Sequence, residues 1–396
     1  MTAHLAITAA TRFTPAEWRV EPFRRVAQER GVRNEHLSEQ ALSLSSAGTL
    51  YERTEETDRQ FASEQSARNA WVVLPDDLVV NPMWLFGGAI GVSSRRGAVS
   101  PDYRVYVLSP KLHPMYLHHL LRSSPYRDQY RLYMRAETTF DRRITKDDFN
   151  EMPVVIPPLA TQRVIADYLD AETTRIDAVV SLRRRQVTLL SEALTSRRAA
   201  MALGELDPVS GDGRIPESWE RPLLGVLMEL HRGVDLPSDA RVDGDIPVVS
   251  SGGISGTHSV AACQGPGVVT GRYGTIGDVY YVDGPYWPLN TTLYVSDFRN
   301  NHPRWVYHLL AALPLDIDAD KSAVTGINRN VVGQLRAVRP PIAEQRRIAE
   351  QLDEHGRAVA KAAATLEQQV ALLLERRQAL ITAAVTGQFE ISGVVA

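Results

Sequence analysis

Pro157-Pro158-Leu159-Ala160-Thr161-Gln162-Arg163 returns as Pro340-Pro341-Ile342-Ala343-Glu344-Gln345-Arg346, an offset of 183 residues between positions 157 and 340. Self-similarity at a fixed offset constrains a fold before any local propensity does. Carried onward, the same offset pairs Ile165 with Ile348, Ala166 with Ala349, Leu169 with Leu352, Asp170 with Asp353 and Gln186-Val187 with Gln369-Val370. It also pairs Leu190 with Leu373, Glu192 with Glu375 and Gly204 with Gly387. Gap-free pairing over that length indicates a duplication.

Each copy reads as one long helix. The Pro-Pro pair suits a first turn, where missing N–H groups cost nothing, and no proline follows until Gly204 or Gly387 ends the run. At ~1.5 Å per residue, about forty residues make a rod of roughly 60 Å. Apolar residues recur at alternating steps of four and three: Ile176, Val180, Val187, Leu190, Leu194 and Met201, then Val359, Ala363, Leu366, Val370, Leu373, Leu380 and Ala384. That spacing is a coiled-coil seam. Arg183, Arg197 and Arg377 fall on it, which calls for a partner carboxylate or a snorkelled geometry. The alternative is that each helix packs only on its own globular domain, with one face apolar far beyond a domain's width.

Before each helix lie about 150 residues of short β-rich runs broken by Gly, Pro, Asn and Asp. The runs include Trp71 to Leu74, Leu78 to Val80, Ala89 to Val92 and Tyr103 to Val107, then Ile246 to Val249, Gly267 to Thr270, Asp278 to Val282 and Thr291 to Val295. Gly88-Ala89-Ile90-Gly91 matches Gly274-Thr275-Ile276-Gly277 in kind. The expected order is therefore a globular unit at 1–156, a helix at 157–203, a second globular unit at 204–339, a helix at 340–387 and a tail at 388–396. Mixed α+β content follows, with two divergent readers on one ruler.

The 396 residues suffice for two or three domains. The single cysteine, Cys263, excludes a disulfide framework and a cysteine-rich zinc site, and suits a reducing cytoplasm. Met1 to Phe13 lacks a basic start followed by an apolar core, and no stretch approaches the ~20 apolar residues that cross a bilayer, so no membrane association is expected. Net charge is −3, so any phosphate-binding surface must be a local concentration of positive charge. Nearly all 44 basic residues are arginine, which fits bidentate contact to phosphate or guanine but also follows from a GC-rich genome.

The chain resembles the specificity subunits of type I restriction-modification systems over essentially its whole length. The resemblance rests on the two Pro-Pro-x-Ala-x-Gln-Arg-x-Ile-Ala segments, on Leu169-Asp170 and Leu352-Asp353, on Ile215-Pro216-Glu217-Ser218-Trp219, and on the ending Leu380 to Gln388. It implies an α/β target-recognition domain before each helix and helices packed as an antiparallel coiled coil. It further implies two domains reading the halves of a bipartite double-stranded DNA sequence, and docking of two methyltransferase subunits. At the amino terminus, Trp18 to Arg30 matches the usual opening only loosely.

Catalytic signatures are missing from the sequence. Asn81-Pro82-Met83-Trp84 falls short of a methyltransferase base-holding segment, since its second proline is lacking and no methyl-donor loop precedes it; it reads as a turn feeding a DNA-facing loop. The four lysines, Lys111, Lys146, Lys321 and Lys361, follow Ser109, Ile144, Ala319 and Val359 at two positions' distance, so no Mg²⁺ nuclease core is present. No Gly-Lys dipeptide marks a phosphate-binding motor loop. His118-His119 lies on an apparent helix whose adjacent positions face different ways, and reads as structural rather than metal-binding. Gly252-Gly253, Gly256 and Gly271 to Gly277 read as tight loops that let backbone approach DNA. No cofactor is expected on this chain; S-adenosylmethionine, ATP and Mg²⁺ are expected on methyltransferase and restriction-motor partners.

Base reading needs Arg, Asn, Gln, Ser or Thr on exposed loops, and phosphate clamping needs Arg, Lys and backbone amides. In the first domain the candidates are Arg95, Arg96, Ser100, Tyr103, Arg135, Arg142 and Arg143. In the second they are His231, Arg232, Ser250, Ser251, His258, Arg272, Tyr273, Asn290, Thr291, Lys321, Asn328 and Arg329. For any single arginine, a solvated charge or intramolecular ion pair is the competing role. Arg183-Arg184-Arg185 reads as a solvated face or a partner contact. The function expected is a non-catalytic, sequence-specific DNA-binding subunit. The alternatives are a recognition subunit of another DNA-modification defence system without a motor, a self-contained methyltransferase, and a coiled-coil scaffold with no DNA role.

Overall fold

Two apolar runs that open on His-Pro, His113 to Leu121 and His302 to Leu310, become the helices around which the cores form. Proline at the first helical position supplies the right φ and lacks an N–H that would be orphaned there anyway. In the computed structural model, which describes residues 14–54, 63–133, 143–207, 212–317 and 326–388, the chain divides into two compact units. Unit 1 is Met1–Leu182 with Gln369–Ala396, and unit 2 is Arg183–Gln368. The division falls inside both long helices rather than at their ends.

Unit 1 contains β1 (Arg19–Pro22), β2 (Ala27–Glu29), β3 (Leu42–Leu44), β4 (Leu50–Glu52), α1 (Glu64–Arg68), β5 (Trp71–Val73), β6 (Leu78–Val80), β7 (Ile90–Val92), β8 (Gly97–Val99) and β9 (Arg104–Leu108). These are followed by α2 (Pro114–Arg122), α3 (Ser124–Tyr133), α4 (Lys146–Asn150), β10 (Pro153–Ile156) and the start of α5 (Leu159–Leu203). An antiparallel sheet runs β2-β9-β6-β7, with β3–β4, β5–β8 and β1–β10 as separate antiparallel pairs. Strand β6 is apolar throughout because both of its faces are covered. Leu78 and Val80 join the core built around α2, while Val79, pointing the other way, joins Leu42, Val73, Val99 and Val105.

Unit 2 repeats the plan with α6 (Leu224–Leu227), β11 (Glu229–Arg232), β12 (Ile246–Ser250), β13 (Gly253–His258), β14 (Gly267–Gly271), β15 (Val279–Val282), β16 (Trp287–Pro288) and β17 (Thr292–Asp297). Then come α7 (Pro303–Leu310), α8 (Arg329–Val332) and the start of α9 (Ile342–Val385). Its sheet runs β11-β17-β14-β15, the same order as β2-β9-β6-β7, and β13-β12-β16 forms a second sheet. The alternation recurs: Val268, Leu293 and Val295 enter the α7 core, whereas Val269 and Tyr294 face Val249 and Tyr286.

The repeated Pro-Pro motif ties each globular part to its long helix. In unit 1 the buried Gln162 accepts from the backbone N–H of His113 (2.8 Å) and donates to the carbonyls of Lys111 (3.0 Å) and Pro157 (2.8 Å). In unit 2 the buried Gln345 accepts from the N–H of His302 (2.8 Å) and donates to Asn301 Oδ1 and the Pro340 carbonyl (2.9 Å each). Each glutamine satisfies an orphan donor at the start of α2 or α7 that no capping side chain reaches. The repeated aspartates act alike, Asp170 at 2.7 Å from His119 Nε2 and Asp353 at 2.9 Å from His308 Nε2. His119 is thus a structural histidine, and His118 Nδ1 accepts from the Val92 N–H (3.4 Å).

Within each unit, the parts of α5 and α9 that belong to it run antiparallel against each other. In unit 1, Arg377 forms an ion pair with Asp177 (3.0 Å), the partner that a seam arginine requires. In unit 2, Leu189 and Leu190 stand opposite Ala358 to Leu366. Every apolar seam position is buried or half-buried, whereas Leu182, Leu189, Leu372 and Leu374 lie off the seam and are exposed. Gly204 and Gly387 end the helices at positive φ (63° and 73°), where a side chain would be strained. Gly387 packs on Pro15 and Trp18, and Gly204 on Ile215. Among the described residues no helix is long and apolar enough to cross a membrane.

Candidate nucleic-acid interface

In unit 2 the loops at one end of the sheet converge. Thr291, entering β17, offers its carbonyl to the backbone N–H groups of Arg272 (2.9 Å) and Tyr273 (3.3 Å) in the loop after β14. The Arg272 carbonyl accepts from the Ile327 N–H (2.9 Å), and Tyr273 bridges to Gly326, which brings Asn328 alongside. Arg232, at the end of β11, donates to the Asn290 carbonyl (3.3 Å). Ser251 closes the group, since a side chain begun at Gly274 would lie 3.5 Å from its hydroxyl. Arg232, Ser251, Arg272, Tyr273, Asn290, Thr291 and Asn328, far apart in sequence, therefore share one surface.

That surface carries unspent hydrogen-bonding capacity. The Arg272 guanidinium lies over the Tyr273 ring (4.3 Å), and among the described residues its buried Nη1 and the buried Thr291 hydroxyl have no hydrogen-bond partner. Buried polar atoms are ordinarily satisfied, so these two leave donor and acceptor capacity at the loop cluster. Beside it, His231, Arg329 and Asn330 line a cleft of about 390 Å³ between β11 and α8. His231 Nε2 lies 2.9 Å from Glu229, and Arg329 donates to the Leu230 carbonyl (3.4 Å).

Other candidates lie differently. Ser250 spends its hydroxyl on the Gly253 carbonyl (2.9 Å), shaping the β12–β13 turn. His258 is buried, accepts from the Val242 N–H (3.0 Å) and stands edge-on to Trp287, so it is set back from the converging loops. Lys321, Arg135 and Arg142 lie outside the described residues.

In unit 1, Arg95 and Arg96 occupy the β7–β8 turn, where Arg95 pairs with Glu52 (3.0 Å) and Arg96 with Glu39 (2.6 Å). The hydrogen bonds from Arg96 hold the Glu39 carboxyl below its usual range. Ser100, Tyr103 and Arg143 come together around a turn: Ser100 Oγ accepts from the Asp102 N–H (3.3 Å), and Arg143 lies 3.5 Å from the Asp102 carboxylate.

Strand order extends a loop of which the sequence reading singled out only the turn Asn81 to Trp84. The segment 81–89 joins β6 to β7 as 272–278 joins β14 to β15. It is pinned by its own backbone, Asn81 N–H to the Ala89 carbonyl (3.0 Å) and Gly87 N–H to the Trp84 carbonyl (3.0 Å), and presents Trp84, 52% exposed and stacked on Phe86. Two sequence signals point to this equivalence. His-Pro-x-aromatic-apolar-x-His-Leu-Leu occurs at both 113–121 and 302–310, and Pro15 and Trp18 form the same turn as Pro216 and Trp219.

No protein-family model and no curated protein sequence matches the chain. Solved structures do. A chain from a study of complex assembly and conformational transition in the type I R-M system aligns with a TM-score of 0.74 at 17% identity, covering 95% of this chain and 99% of that one. The HsdS subunit from Thermoanaerobacter tengcongensis gives a TM-score of 0.51, also at 17% identity, over 95% of this chain and 98% of that one. The architecture is that of a duplicated mixed α/β chain with two long helices. It is the fold of type I restriction-modification S subunits.

Proposed function

We propose that the chain is the DNA-reading specificity subunit of a type I restriction-modification enzyme, cytoplasmic and without a catalytic centre of its own. The observation that carries this reading is the convergence of Arg232, Ser251, Arg272, Asn290, Thr291 and Asn328 on one surface of unit 2, at the end of a sheet whose strand order unit 1 repeats. Arginine forks and short amide or hydroxyl side chains are the groups that distinguish base edges in the major groove. One such surface per unit gives two half-sites. In unit 1 the corresponding set is the 81–89 loop with Ser100, Tyr103 and Arg143.

The exposed Leu182, Leu372 and Leu374, and the groove flanked by Leu189, Leu190 and Leu366, supply apolar surface for two methyltransferase subunits. Those partners would carry S-adenosylmethionine, and restriction subunits ATP and Mg²⁺. Selection of bound duplexes from a random library by the chain assembled with its methyltransferase subunit tests the reading. A split motif is expected; recovery of unenriched sequence at every salt concentration would overturn it.

A further inference from the structure

In unit 1 one guanidinium has no anion among the described residues. Arg127, on α3, is partly buried; its Nε is fully buried, and no described residue accepts a hydrogen bond from its side chain. Its neighbours are cations. A side chain begun at Gly88 would meet the Ser46 carbonyl at 2.7 Å, Arg127 Nη2 at 3.2 Å and Arg122 Nη1 at 3.5 Å, so both guanidinium groups lie beside Gly88, with the Ser46 carbonyl closer still. Gly88 sits there at φ 92°, and the Ser46 carbonyl leaves no room for a side chain. Arg122 is buried and already committed to three carbonyls, those of Gly88, Ile90 and Ser46. Among the described residues, Asp177 pairs with Arg377, and Asp128 with Arg131. Burial, and then Arg127 and Arg377, push the Arg122 guanidinium down to about 10, and burial followed by Arg377 lowers Arg127 as well.

A partly buried cation flanked by like charge and lacking a counter-ion is unfavourable in the isolated chain, and an incoming oxyanion removes the penalty. We propose that Arg127, beside Arg122 and next to the end of the 81–89 loop, is a clamp for one phosphate of the DNA backbone. This rests on the DNA-reading function proposed above. The position favours DNA over a protein carboxylate, because Gly88 ends the 81–89 loop, which occupies the same place in the strand order as the Arg272 loop. The fork of Arg127 suits bidentate contact with phosphate. Such a contact positions the duplex and carries no base information.

The test uses the chain assembled with its methyltransferase subunit and measures DNA affinity against salt for wild type, Arg127→Gln and Arg127→Lys. One lost phosphate contact lowers the slope of log K against log salt by about 0.9. Arg127→Gln is expected to show that drop, equally on target and non-target duplexes, while Arg127→Lys keeps the wild-type slope. Without DNA, Arg127→Gln is expected to unfold at no lower temperature than wild type, since it removes an uncompensated charge. An unchanged slope in Arg127→Gln alongside normal target selection would overturn the clamp and leave the DNA-reading function standing. Loss of subunit assembly with an unchanged slope would overturn it in favour of a protein carboxylate. Failure of the wild-type complex to bind DNA would remove both.

Discussion

Asp353 Oδ1 stands 2.9 Å from His308 Nε2, joining the second long helix to the central helix of unit 2, and the same carboxylate takes the Arg304 guanidinium at 2.8 and 2.9 Å. Asp353→Ala strands a buried histidine and a partly buried arginine, and is expected to destabilise unit 2 by about 2–3 kcal/mol, discounted for the partial exposure of Arg304. Denaturant unfolding followed by the buried Trp305 would measure it.

The same pair gives unit 2 an acid-sensitive joint. Burial pushes the His308 imidazole down to about 4, against the pull of Asp353, so the histidine is neutral in the folded chain with its Nε2 proton facing the carboxylate. For Asp353, burial raises the carboxyl, but the hydrogen bonds from Arg304 and His308 outweigh it and hold it below its usual range. Both folded values lie below the unfolded ones, so stability is present at neutral pH and falls with acidification. The His308 contribution is lost between about pH 6.5 and 4, and that of Asp353 below its ordinary value of 3.8. Stability measured from pH 7 to 4 is expected to decline with proton uptake on unfolding, in which His118 and His302, also lowered by burial, join His308, and His308→Gln is expected to make the decline shallower.

Gln345→Ala leaves the His302 N–H and the Pro340 carbonyl without partners in a buried place, at a cost of about 1–3 kcal/mol. Gln162→Ala is expected to cost unit 1 a similar amount, through His113, Lys111 and Pro157. Equal thermal stability of either variant and wild type would contradict this account of the repeated motif.

The fold was legible where a physical requirement leaves a periodic trace. The Pro-Pro starts, the four-three seam and the terminal glycines mark α5 and α9, and the partner expected for Arg377 is Asp177. Why Gln162 and Asp170 recur could not be read, because each acts on a helix that carries its own repeat at a different offset, His113 to Leu121 against His302 to Leu310. For the candidate site, the sequence offers residue types but not their grouping. Thr291 joins Arg272 and Tyr273 through backbone hydrogen bonds, which have no sequence signature, whereas Arg95 and Arg96 look like free cations until the fold brings Glu52 and Glu39 to them.

Removal of Arg272 is expected to weaken target binding by about 1–3 kcal/mol and to relax selection at one position of one half-site. Arg96→Ala removes a group already paired with Glu39 and is expected to leave the motif intact. Comparison of enriched sequences from the two variants checks both expectations.

A heptad inserted into α5 after Leu182 and into α9 after Gln368 lengthens each helix by about 10 Å while preserving the seam. Both half-site sequences are expected to persist with a longer spacer between them. A changed half-site sequence would show that the helices take part in base reading.

The central claim, that each unit reads one half of a split target, is tested most directly by methylation in cells. The chain is co-expressed with its methyltransferase subunit in a methylation-free host, and modified adenines are mapped genome-wide by long-read sequencing. The account predicts one bipartite motif, with one half changing when 31–150 is exchanged for another reader and the other half changing when 226–336 is exchanged. A continuous motif indifferent to either exchange, or no modification at all, would contradict it.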